Sequence, residues 1–214
     1  MGLEFEVLSE RVEMLAEKVL FLPAHNSLLV ADVHFGKVNH FRKSGIAVPV
    51  IANDKNASTL IDVIQQLKPQ RVIFLGDLFH SHYNQEWETV GQIIRHFSNC
   101  SFELVLGNHD VLGAQQYSRH LIKVHLRQLD LGQWTLSHQP MQQVSNGHYN
   151  LAGHIHPGIR LKGTAKQALL LPCFYFGKNA GLLPAFGSFT GLAQIFPKKE
   201  ERIFVVANEK VIAV

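Results

Sequence analysis

The sequence predicts an α/β fold in which two β-layers carry helices on their outer faces. Three observations lead there. Through residues 20–106, apolar runs of strand length alternate with stretches of helical periodicity. Beyond them the chain becomes a series of short strand-like runs. The strand-like runs of the first half end in polar residues that open a loop, and two of the second half end in histidines.

Taken in order, runs 20–22 and 28–31 read as a hairpin around Pro23-Ala24-His25-Asn26-Ser27, and the second leads into Asp32-Val33-His34. Asn53 or Asp54 is placed to cap a helix whose apolar positions are Leu60, Val63, Ile64 and Leu67, and Pro69 closes it. Run 72–75 is a buried-type strand ending in Gly76-Asp77. A second helix puts Trp87, Val90, Ile94 and Phe97 on one face, and strand 102–106 ends in Gly107-Asn108-His109-Asp110. Strands 124–126, 134–137, 149–152, 168–171, 193–196 and 203–207 follow; the second stops at His138 and the third at Gly153-His154-Ile155-His156. Ligands in α/β architectures bind just outside the carboxyl ends of strands, so these endings predict a site along one rim.

Composition narrows the class. The 214 residues, 46% of them hydrophobic, fit one domain spanning 1–214 with a substantial core and argue against disorder. The longest apolar stretches are about ten residues, against the roughly 20 needed to span a bilayer. The first ten residues lack a basic-then-apolar signal pattern, so a cytoplasmic protein without a membrane partner is expected. Cys100 and Cys173 have neither disulfide nor metal spacing and read as buried free thiols. A net charge of +3 is compatible with an anionic substrate. The 13 histidines stand out, because imidazole is the commonest transition-metal ligand and proton shuttle.

The chemistry lies in Asp32-x-His34, Gly76-Asp77, Gly107-Asn108-His109-Asp110, His138 and Gly153-His154-x-His156. Each residue has a plain reading: Asp32 and Asp77 as turn caps, Asn108 and Asp110 as caps of a helix near Val111, His138 as a satisfied core side chain. Five strand ends would all have to imitate one site for those readings to hold together. A pair of ions about 3.5–4 Å apart needs a bridging carboxylate, and Asp77, between the blocks, is the natural bridge. Mixed imidazole, carboxylate and amide donors suit Mn, Fe, Zn or Co better than calcium. His154 and His156, two apart, can reach the same pair of ions.

These five blocks resemble the calcineurin-like metallophosphoesterase family. The resemblance implies a four-layer α-β-β-α sandwich of two mixed β-sheets flanked by helices. It also implies two divalent ions, Mn²⁺ foremost, with Fe, Zn, Co or Ni as alternatives. Asp32, His34, Asp77 and His156 would hold the first ion, and Asp77, Asn108, His138 and His154 the second. A water bridging the ions would attack phosphorus in line. His109 would stabilise developing charge or protonate the leaving oxygen, with Asp110 orienting it. Phe35-Gly36-Lys37, Phe41-Arg42-x-x-Gly45-Ile46-x-Val48-Pro49, Gly76-Asp77-Leu78-Phe79-His80-Ser81 and Leu183-Pro184-Ala185-Phe186-Gly187-x-Phe189-Thr190-Gly191 more narrowly resemble the ligase-associated DNA-damage-response endonuclease (PdeM) family. That likeness implies a DNA endonuclease acting on single-stranded or irregular DNA, with a repair ligase and helicase as partners. Lys37, Arg42 and Lys43 then read as phosphate contacts, against a solvated basic face, and His80 and His82 as lining the cleft. A nucleotide or small-molecule phosphodiesterase would share every metal ligand, and a non-catalytic module would have lost one.

Overall fold

In the computed structural model, residues 2–36, 51–162, 168–188 and 190–214 are described, with the backbone alone at 51–54 and 162. Lys37, Arg42 and Lys43 lie outside the described residues.

The chain folds as α/β, with two mixed sheets and flanking helices. The first sheet runs in order β1 (Leu3–Val7), β2 (Glu10–Met14), β3 (Leu20–Leu22), β4 (Ser27–Val30), β5 (Arg71–Leu75), β6 (Ser101–Val105) and β7 (Ile122–His125). Strands β1 to β4 pair antiparallel, and β4 to β7 are parallel. Helices α1 (Ile51–Leu67), α2 (Gln85–His96) and α3 (Ala114–Arg119) are the crossovers between the parallel strands. Connections between parallel neighbours need such crossovers, and they leave the carboxyl ends of β4, β5 and β6 side by side on one rim.

The second sheet contains β8 (Gln128–Leu131), β9 (Trp134–Ser137), β10 (Tyr149–Ala152), β11 (Pro157–Lys162), β12 (Ala168–Phe176), β13 (Ala180–Leu182) and β14 (Ala193–Gln194), with β15 (Arg202–Ala207) and β16 (Lys210–Ala213) joined through β12. Strands β9 and β10 are parallel neighbours, so their carboxyl ends also coincide.

Two-residue alternation divides the core. Leu28, Val30, Val72 and Phe74 face the helices, where Leu60, Val63, Ile64, Trp87, Val90 and Ile94 meet them. Leu29, Ala31, Ile73 and Leu75 face the second sheet and pack with Trp134, Leu136, Leu151, Phe174 and Phe204. Strands buried on both faces are why these runs read as continuous apolar stretches. All three helices bury their side chains in the first of these cores. The outer face of the second sheet carries a smaller cluster, Cys173, Ile203 and Val205, so among the described residues the helical layer lies outside the first sheet.

Several elements depart from the sequence reading. Helix α1 already begins at Ile51, so Asn53 and Asp54 lie within its first turn and do not cap it. The hairpin β1–β2 and strands β8, β11, β13 and β16 were not expected. Strand β12 runs through Pro172 to Phe176, pairing with β11 up to Pro172 and with β13 and β15 beyond it. Proline lacks the N–H that a continuous ladder needs, which suits it to this change of partner. Cys173 is buried as expected, whereas Cys100 is only half-buried, and both are free thiols. No described helix is long and apolar enough to cross a membrane.

Trp134 is fully buried between the sheets, edge-on to Tyr149, and its indole N–H donates to Glu10 Oε2 at 2.6 Å. Trp134→Ala should therefore lower the unfolding free energy by about 3–5 kcal/mol in urea denaturation. A loss near zero would mean that the inter-sheet core is not organised around this side chain.

Candidate active site

Every described residue of the five blocks lies just past the end of a strand on the same rim. Asp32 and His34 follow β4, Asp77 follows β5, Asn108, His109 and Asp110 follow β6, His138 follows β9, and His154 and His156 follow β10. The loops after β4 and β5 continue side by side beyond the strands. Asp32 N–H donates to Gly76 O, His34 N–H to Asp77 O, Phe35 N–H to Leu78 O and His80 N–H to Phe35 O. This pairing brings the first block against the second. On the other sheet, Gly153 N–H donates to His138 O and holds the last two blocks together.

The backbone there is unusual. Asp32, His34, Asp77, His154 and His156 all have φ between +52° and +66°. Asp and His tolerate the left-handed region better than most residues, but it costs about 1–3 kcal/mol at each position unless surroundings enforce it. Glycines make room where the blocks cross. A Cβ on Gly76 would strike the His138 ring, one on Gly107 would strike the Asp77 carboxylate, and one on Gly153 would strike Asp32. The glycine that opens each of these blocks is thus required by a side chain of another block.

Asp32, Asp77, His34 and His138 are buried at 0%, 2%, 4% and 4% relative exposure. Asp77 stands between histidines, with Oδ2 3.7 Å from His34 Nε2 and Oδ1 3.5 Å from His138 Nε2. Asp32 Oδ1 is 3.4 Å from His156 Nε2 and 3.9 Å from His138 Nδ1. Asp32 Oδ2 accepts from His154 N–H at 2.9 Å, and Asp77 Oδ1 from His109 N–H at 2.9 Å. Two groups have donor atoms all within 4.8 Å of one another: Asp32, His34 and His156, and Asp32, Asp77 and His138. Asn108 Oδ1 is 2.9 Å from His138 Nε2, and His154 Nδ1 is 3.1 Å from the same nitrogen, so both border the second group.

Backbone carbonyls fix two of the rings. His138 Nδ1 lies 3.0 Å from Leu75 O and His156 Nδ1 3.2 Å from Gly191 O. A carbonyl only accepts, so Nδ1 carries the proton in each and Nε2 is left with a lone pair, the usual arrangement behind a metal-ligating histidine. Burial first, and the neighbouring His138 next, lower the pKa of His154, favouring the neutral ring that can bind a metal. Asp32 Oδ1 is buried with no hydrogen-bond partner among the described residues. An orphaned buried carboxylate oxygen facing the lone pair of His156 Nε2 is what a divalent cation would satisfy, so the residues present fit a metal centre.

Asp110 takes a different place from the one expected. Its carboxylate accepts from the backbone N–H groups of Asp77 (2.8 Å), Gly107 (2.9 Å) and Phe79 (3.1 Å), and among the described residues it forms no bond to the His109 ring. It ties the loop after β5 to the loop after β6. Desolvation raises its pKa to about 6 although part of the residue stays exposed, while the three N–H donors act against that rise. The ring beside His109 is His80, stacked at 3.9 Å between centroids, and His80 Nδ1 is in turn 3.2 Å from His34 Nδ1. His80 therefore lies inside the site, whereas His82 is exposed. The sequence signal for His80 was its place three residues after Asp77, and nothing there disclosed the stack on His109.

Residues 25–161, more than half of the chain, match the family model for the calcineurin-like phosphoesterase. A nuclease from Pseudomonas putida, called MPE, shares 29% identity with a TM-score of 0.85 over 100% of both chains. The phosphoesterase Yfce from E. coli shares 12% identity at TM-score 0.46, over 88% of this chain and 97% of its own. A protein of unknown function from Aquifex aeolicus, AQ665, shares 16% at TM-score 0.43, over 61% and 78%. No curated protein sequence matches the chain. Strand-end carboxylates and histidines with the donor chemistry of a metal centre, within the span of the family model, lead to one conclusion: the chain belongs to the calcineurin-like phosphoesterase family and is a metal-dependent hydrolase.

Proposed function

We propose that this chain cleaves phosphodiester bonds in DNA, using two divalent ions held by Asp32, His34, Asp77 and His156 on one side and by Asp77, Asn108, His138 and His154 on the other. The observation that carries the two-ion reading is Asp77, whose two oxygens face histidines of opposite sides, Oδ2 toward His34 and Oδ1 toward His138. Asp32 belongs to both close-packed donor groups and Asp77 to the second, so the two carboxylates stand where the donors of both sides meet. Bound there, the ions would supply Lewis acidity toward phosphate oxygens and a water acidified toward neutral pH. The mixed nitrogen and oxygen donors suit Mn, Fe, Zn, Co and Ni alike, and the family resemblance puts Mn²⁺ first among them.

The protein's own contribution is placement. The N–H of His109 is engaged by Asp77, which fixes the backbone from which its ring projects. Stacking on His80 holds that ring beside the donors, where it can deliver a proton to the leaving oxygen. Asp110 acts one step back, through the loops it joins. The reading of DNA as substrate is supported by the similarity to the Pseudomonas putida nuclease over both full chains and by the narrower motif resemblance. A repair ligase and helicase as partners, and a cytoplasmic location, rest on that resemblance and on the sequence alone.

Experiments on metal binding, leaving-group chemistry and substrate test this. Asp77→Asn should abolish turnover of a p-nitrophenyl phosphodiester and lower bound Mn²⁺ on both sides, read as metal content after dialysis; full activity in metal-buffered assay would overturn the two-ion mechanism. His109→Ala should slow cleavage by ~10²–10⁴ with metal content near normal, and an activated p-nitrophenolate leaving group should blunt the defect. Loss of metal together with activity would make His109 a ligand instead. With Mn²⁺, single-stranded DNA should be cut faster than duplex, and binding should weaken as salt rises, since phosphate contacts release counterions. Replacing Lys37 and Arg42 with Ala should raise KM for DNA and spare the aryl substrate. Brisk turnover of nucleotides or cyclic nucleotides without DNA cleavage would point to a small-molecule phosphodiesterase.

A further inference from the structure

The glycine-rich stretch after β13 belongs to none of the five blocks, yet residues 186–188 lie directly against the first of them. Phe186 N–H donates to Ala31 O at 2.8 Å and Gly187 N–H to Asp32 O at 3.1 Å. The approach is close enough that a Cβ on Gly187 would stand 2.7 Å from Val33 O. Side chains from two other elements hold this contact. Asn56, on α1 and 6% exposed, accepts at Oδ1 from Ser188 Oγ (2.7 Å) and Ser188 N–H (3.3 Å), while its Nδ2 donates to Val33 O at 3.5 Å. Lys18, in the turn between β2 and β3, donates from Nζ to Phe186 O (2.7 Å) and Gly187 O (3.4 Å). Burial first, and then the charge of Lys55, lower the Lys18 amine to about 8. Further along, Gly191 O accepts from His156 Nδ1 at 3.2 Å, and Ala193 N–H donates to His156 O at 3.0 Å.

We propose that Asn56, Ser188 and Lys18 form a latch that presses residues 186–188 onto residues 31–33 and so sets the half of the metal site made by Asp32, His34 and His156. Asn56 is the keystone, because its amide touches both sides of the contact at once. The latch answers a need visible in the backbone. Asp32 and His34 hold φ of +53° and +52°, and such conformations persist only where neighbours enforce them. Asp32 is gripped at N–H by Gly76 and at its carbonyl by Gly187, and Val33 between the two donors is gripped by Asn56. The half built by Asp77, Asn108 and His138 has a different support, the carboxylate of Asp110. These are positioning residues, acting on the donors through backbone, and the idea rests on the two-ion reading above.

The test is Mn²⁺ binding to the metal-free full chain by calorimetry, with metal content as a check. Asn56→Ala and Ser188→Ala should each weaken one of two dissociation constants by about 10-fold, in the range found when partners behind metal ligands are removed, and leave the other within about twofold. Asn56→Asp keeps size and acceptors but turns an oxygen toward Val33 O, and it should reproduce the defect; Ser188→Thr should restore binding. Lys18, Asn56 and Ser188 line a cavity of about 620 Å³, where water can fill the space that truncation leaves. Single-ion backgrounds identify the half concerned. With His138→Ala the remaining ion should be sensitive to Asn56→Ala, and with His156→Ala it should be indifferent. Equal weakening of both ions, or of neither, in a wild-type background that binds two would overturn the latch alone. A wild type that binds one ion would sink the two-ion reading and the latch with it.

Discussion

Asp32 and Asp77 are buried side by side at the ends of neighbouring parallel strands, and that placement governs the rest of the site. Burying carboxylates costs several kcal/mol each unless compensation is supplied. The fold supplies part of it. One oxygen of each accepts a backbone N–H from another block, His154 for Asp32 and His109 for Asp77. The remainder is left to the imidazoles that surround them, and Asp32 Oδ1 keeps no hydrogen-bond partner among the described residues. A structure that only needed stability would have filled these positions with apolar side chains. Retaining two carboxylates within reach of four imidazoles makes sense where a cation completes the balance.

The same constraint explains the local strain and the glycines. To bring side chains from five loops onto two carboxylates, the backbone must turn sharply just after each strand, and five of the donors adopt left-handed φ. The loops must also nearly touch, so the residue before Asp77, Asn108 and His154 can have no side chain. What looks in the sequence like a set of separate short motifs is one interlocked object. Each glycine accommodates a donor from another motif, and Asp110 and Asn56 knit the loops from behind.

How much of this was legible follows the range of the physics involved. Strand ends and the chemical types of the donors are local, and the five blocks come together in the fold because β4, β5 and β6 adjoin in one sheet and β9 and β10 in the other. Leu3-Glu4-Phe5-Glu6-Val7 alternates in strand fashion, and Phe5 packs on Phe176 and Phe204, but its role depends on these partners far along the chain, which no local pattern reveals. The surroundings of Asp110 are non-local in the same way. Adjacent to His109 in sequence, it invites the reading of a carboxylate orienting an imidazole, while in space its oxygens are consumed by three N–H groups, two of them from the loop after β5. The stack of His80 on His109 likewise depends on two strand ends meeting.

Substrate choice belongs to a different part of the molecule from catalysis. The donors lie at the bottom of the rim, in geometry that any phosphate ester could use, so they carry no information on what is attached to the phosphorus. Asn108 is exposed where Asp32 and Asp77 are buried, so its side of the centre opens to solvent. A long polyanion must be met by groups spread along its backbone, whereas a nucleotide needs a closed pocket around the base. On that argument, residues such as Lys37 and Arg42, which follow the first block in sequence, and not the metal donors themselves, are where a nuclease and a small-molecule phosphodiesterase with this same centre would part.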